Sequence, residues 1–141
     1  MSLDREFAPD WMYDCLEEAK KIINTHHHQF DCKEFLEKTE YRLWIQTDKP
    51  NAYGYIIDPQ IPRPFYNIAI HKVLSELNQI NIRMVTIVLV HELLHSIHPN
   101  DENYIIVGPL EIQFANKAGY YDALREMENL AYNGRMKFCD E

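Results

Sequence analysis

His91 and His95 stand four residues apart, with Glu92 beside the first. On an α-helix, residues i and i+4 lie one above the other on one face, with Cβ atoms ~5–6 Å apart. Two imidazoles carried that way can meet one tetrahedral Zn²⁺ at ~2.0–2.1 Å each. Glu92 is turned ~100° around the helix, too far to share the ion without strain but within reach of a water on its open side. This H-E-x-x-H pattern suits hydrolysis by a metal-activated water, with the glutamate as general base.

Such a pair needs a buried helix to hold it. Met84, Val85, Ile87, Val88, Leu89, Val90, Leu93, Leu94 and Ile97 make the surrounding segment apolar nearly all round. That composition marks a buried helix, expected over 82–97 with Asn81 as its cap and Pro99 ending it. Histidines and a glutamate inside such a helix must be paired, and a metal with its water meets that need.

Upstream, Trp11, Cys15, Leu16, Ala19, Ile22 and Ile23 share one helical face, which predicts a helix over 11–25 capped by Asp10. Asp31 with Glu34 predicts a short helix over 32–38. Aromatic and β-branched runs at 41–47, 53–58 and 65–71, separated by proline-rich breaks, predict three strands. A helical turn is expected over 73–78, and a long last helix from Gly108-Pro109 to Tyr132, stopped by Asn133-Gly134. His26-His27-His28 reads as a solvated helix end rather than a second metal site, since adjacent helical residues point in different directions.

The 141 residues predict a single domain over 1–141. A net charge of −8 argues against nucleic acid as a partner, because phosphate binding relies on Lys and Arg. Three widely spaced cysteines without a C-x-x-C fit a reducing, cytoplasmic setting. The N-terminal residues show no apolar signal region, and the apolar run 84–90 is too short for a membrane span, so no membrane partner is expected.

Three residues compete to be the third metal ligand. His98 shares the face of His91 but lies ~10 Å further along the axis, and three ligands on one straight helix do not converge. Asp101 is where the metzincin pattern H-E-x-x-H-x-x-G-x-x-H sets its third ligand, although His98 replaces the turning glycine. Glu111 follows a loop long enough to reverse direction, and it is the favoured ligand because catalytic zinc normally takes three protein groups. Tyr104, Tyr120, Tyr121 and, preferred among them, His98 are candidates to steady a tetrahedral oxyanion.

The stretch 50–118 resembles gluzincin metallopeptidases. Pro50-Asn51-Ala52-Tyr53 is similar to the N-A-aromatic edge strand of the thermolysin-like and membrane CAAX-processing gluzincins. The resemblance implies that Asn51, Ala52 and Tyr53 pair with extended substrate by strand addition. Glu111-Ile112-Gln113-Phe114-Ala115-Asn116 is similar to the E-x-x-A-N/D glutamate helix of the ImmA/IrrE-type enzymes, one residue longer. Ala115 stands where thermolysin-like enzymes carry an orienting Asp, which leaves Asn116 for that role. Size and order resemble the minigluzincins, which are held latent by their own C-terminal segments. That likeness implies a regulatory tail over 135–141, with Cys139 as a thiol able to cap the zinc.

These readings predict an α+β, zincin-like fold: a small, mostly antiparallel sheet of three to four strands on the H-E-x-x-H helix and a long C-terminal glutamate helix. The expected function is peptide-bond hydrolysis with one Zn²⁺ per chain and a peptide or protein as substrate. Two alternatives stand beside it: a zincin-fold regulatory or partner module with little turnover, and a metzincin-like peptidase using Asp101.

Overall fold

The computed structural model describes residues 5–27, 32–61, 64–101, 105–132 and 137–139. Their fold is α+β, one sheet backed by helices. The chain runs β1 (Arg5–Phe7), α1 (Asp10–His26), α2 (Cys32–Lys38), β2 (Glu40–Gln46), β3 (Ala52–Ile56), β4 (Phe65–His71), α3 (Gln79–Ile97), α4 (Val107–Lys117), α5 (Tyr121–Tyr132) and β5 (Lys137–Cys139).

α3 is the axis of the molecule. Every residue from Met84 to Ile97 is buried, because α1, α4, α5 and the sheet pack around it. By length and apolarity alone this helix would suit a membrane span, which corrects the shorter apolar run read from sequence. Most of it is enclosed by the fold instead. It begins at Gln79, earlier than predicted, because Asn78 accepts a hydrogen bond from the Asn81 amide at 2.8 Å. Asn81 is an inner residue whose side chain donates to the Glu76 carbonyl. The end falls where Pro99 requires, with His98 leaving helical geometry (φ −121°, ψ 68°).

The sheet is mixed, in the order β1-β2-β4-β3-β5, rather than mostly antiparallel. β4 inserts between β2 and β3, parallel to the first and antiparallel to the second. The short β2–β3 connection is therefore a split hairpin. The Gln46 carboxamide holds it, accepting from the Lys49 amide and donating to the Lys49 and Ala52 carbonyls. Tyr41, Leu43 and Ile45 of β2 and Tyr66, Ile68 and Ile70 of β4 fill the core at alternating positions. The short outer strands β1 and β5 carry no sequence pattern of their own and bring the strand count to five among the described residues.

The expected single C-terminal helix is two. Gly119 sits at φ +82°, where a side chain is strained, and the amides of Gly119 and Tyr120 close back on the Asn116 and Ala115 carbonyls. That is a Schellman stop. Arg83 of α3 secures the break, donating to the Gly119 carbonyl at 2.6 Å and pairing with Asp122 at the start of α5.

Candidate metal centre

Because α3 is continuous through the motif, His91 and His95 project from one face with their Nε2 atoms 3.0 Å apart. Nitrogens sharing one tetrahedral ion at ~2.0–2.1 Å lie about 3.3–3.4 Å apart, so the pair needs only a small adjustment. Ligand atoms of His91, Glu92 and His95 all fall within 4.8 Å of one another, and the group can hold a metal ion. Burial, then the neighbouring His91, holds the His95 imidazole down at about 4, against a smaller upward pull from Asp101. His95 is thus neutral near pH 7, the form that donates a lone pair.

Glu92 has no exposed surface, and neither carboxylate oxygen has a hydrogen-bond partner among the described residues. Burial pushes its pKa up to about 7; His91 opposes the shift and Glu111 adds to it. A buried carboxylate with both oxygens unsatisfied is costly, and a cation with its hydration water relieves that cost. The donor set and the orphaned acid together fit a zinc-type ion.

Gly54 of β3 lies over this acid. A Cβ at Gly54 would stand 3.5 Å from Glu92 Oε2 and 2.7 Å from Val88 Cγ1. Only a residue without a side chain lets the strand approach α3 so closely.

Glu111 reaches the centre from α4 but meets His91 at Nδ1, the nitrogen on the far side of the ring from His95. Both side chains are buried. This differs from the direct ligation expected of Glu111, which lies outside the converging group of His91, Glu92 and His95. A carboxylate on the outer nitrogen of a ligating histidine fixes its tautomer and ring orientation. Asn116, given that role by resemblance, is exposed on α4.

Asp101 is engaged elsewhere. Its Oδ2 accepts the Ile106 and Val107 amides at 2.9 and 2.7 Å and so caps α4. Burial would raise its pKa, but the amides of Val107, Ile106 and Ile105 outweigh that and hold it below the usual range. His98 is turned to His27, with Nε2 atoms 3.0 Å apart. Tyr120 lies under the Arg83 guanidinium, Tyr121 is exposed, and Tyr104 lies outside the described residues.

The expected substrate strand is not an edge. Asn51 is exposed in the turn, whereas Ala52 and Tyr53 are buried in β3, which lies between β4 and β5. β5 runs parallel to β3 and pairs Lys137 with Ala52 and Cys139 with Gly54. The backbone positions expected to bind substrate are therefore met by the C-terminal segment of the same chain.

Sequence reasoning missed Gly54 and placed His27 wrongly. A glycine inside a strand pattern is a readable sign of close approach. His27, expected at a solvated helix end, is instead buried against His98, a partner 71 residues away that no local spacing reveals. No protein-family model, curated protein or solved structure matches this chain.

Proposed function

We propose that the chain is a zinc-dependent peptidase of the zincin type. The observation that carries this reading is the convergence on buried α3 of His91, His95 and Glu92, whose ligand atoms lie within 4.8 Å of one another, with the two Nε2 atoms 3.0 Å apart. His91 and His95 would hold Zn²⁺, with Glu111 orienting the first of them. When bound, the ion supplies Lewis acidity toward the scissile carbonyl and lowers the pKa of a coordinated water. Glu92 accepts the proton of the attacking water and returns it to the leaving amine. Its dry surroundings keep the carboxylate basic enough for that task. The substrate class is a peptide or unfolded protein segment.

A second reading is a zincin-fold regulatory or partner module with little turnover. It is favoured by the complete burial of Glu92 and by the cover that β5 gives β3.

Metal-stripped protein titrated with Zn²⁺ tests the common part of both readings. A native-state ligand raises stability, so the melting temperature should climb with zinc in wild type and climb less in a His91→Ala, His95→Ala double variant. An unchanged wild-type melting curve would remove the centre. Cleavage of a broad peptide library by wild type, lost on chelation, separates the peptidase from the module.

A further inference from the structure

Away from Glu92, a second pair of imidazoles repeats the relation between His91 and His95. His27 closes α1 and His98 closes α3, and their Nε2 atoms lie 3.0 Å apart, the same separation as in the first pair. Nitrogens at this distance need one proton or one cation between them, since two lone pairs or two N–H groups facing each other repel.

Several independent features prepare this position for a cation. Both backbones are fixed by helical hydrogen bonds of 2.8 Å, from the His27 amide to the Ile23 carbonyl and from the His98 amide to the Leu94 carbonyl. The two rings meet end to end with planes 16° apart, and Phe114 of α4 lies against His27 with ring centroids 5.9 Å apart. His27 is buried, while His98 opens onto a cavity of about 410 Å³ that Asp101 also lines. That cavity provides an entry path and room for water to complete the coordination. Burial lowers the His98 pKa, and Asp101 opposes that shift in the sense that favours positive charge.

We propose that His27 and His98 form a second metal site, taking a borderline transition-metal cation such as Zn²⁺, Co²⁺ or Ni²⁺ through two imidazoles and water. Imidazole pairs suit this class of ion, whereas Mg²⁺ and Ca²⁺ prefer oxygen. The site ties the end of α1 to the end of α3. His98 follows His95 by three residues, ~4.5 Å along the helix axis, so an ion there sits beside the first centre.

The test uses untagged full-length protein, stripped of metal and titrated with Zn²⁺ under native mass spectrometry and with Co²⁺ under visible absorption. Wild type should take two ions, and His27→Gln and His98→Gln one each. The His91→Ala, His95→Ala double variant should also keep one, with Co²⁺ bands that vanish when His27→Gln is added. Should that double variant fail to fold, the two glutamine variants, whose changes lie at helix ends, carry the comparison alone. A wild type that takes one ion, retained in both glutamine variants, overturns the second site while leaving the first intact. One ion lost in His27→Gln but retained in His91→Ala supports the second site and overturns the proposed peptidase centre. Two ions in wild type and still two in both glutamine variants overturns the assignment to this pair.

Discussion

Glu111 meets His91 at Nδ1, while His95 faces the same imidazole at Nε2 from 3.0 Å. One ring is thus held from both sides, by a carboxylate on α4 and by its own helix neighbour. α4 reaches that position because Asp101 caps its first amides and so fixes the loop between the two helices.

Removing an orienting carboxylate weakens metal binding without abolishing it. Glu111→Ala should therefore lose zinc affinity by ~10–100-fold, the usual scale for such partners. Zinc affinity measured by competition with a chelator checks this. Complete loss of binding in a folded variant would make Glu111 a direct ligand instead.

Glu92→Gln keeps the shape of the side chain and spares both histidines. It should retain zinc and, on the peptidase reading, lose at least ~10²-fold in kcat, the scale of general-base catalysis. Steady-state kinetics on a cleaved peptide, alongside metal content, would show it. Full activity in the variant would remove Glu92 from the mechanism.

Gly54→Ala places a methyl 2.7 Å from Val88 Cγ1 and 3.0 Å from the Ala69 carbonyl oxygen. The second contact is backbone and cannot swing away. A loss of ~1–3 kcal/mol is expected for such overpacking, read from the denaturation midpoint. An unchanged midpoint would mean that β3 can lift from α3 at little cost.

Truncation after Gly134 removes β5 and leaves the outer side of β3 unpaired, a ready template for an added strand. On the peptidase reading, the zinc-loaded truncated protein should cleave a generic unfolded substrate faster than the full chain. Equal rates at equal zinc loading would leave the C-terminal segment no inhibitory role.

The local features were legible because each rests on neighbours in sequence. The apolar circumference of α3 foretold its burial, Pro99 foretold its end, and the spacing of His91 and His95 placed them on one helix face whatever surrounds it. The amphipathic face of α1 emerged with five of its six predicted residues buried; Trp11 is half-buried and Met12 takes the inner place. The three predicted strands appeared within one or two residues, since aromatic and β-branched alternation depends on the chain's own pleat.

Pairings across long separations were decided only by the tertiary structure. Nothing local tells β4 to insert between β2 and β3, or β5 to lie along β3, because strand order depends on which faces the helices leave to be covered. The break at Gly119 is held partly by Arg83, 36 residues earlier, so the chain read alone ran one helix through it. The nitrogen of His91 that Glu111 meets depends on how α4 docks against α3, which no spacing encodes. Residue types and helical geometry determined the chemistry available on α3; packing of distant segments decided which groups surround it.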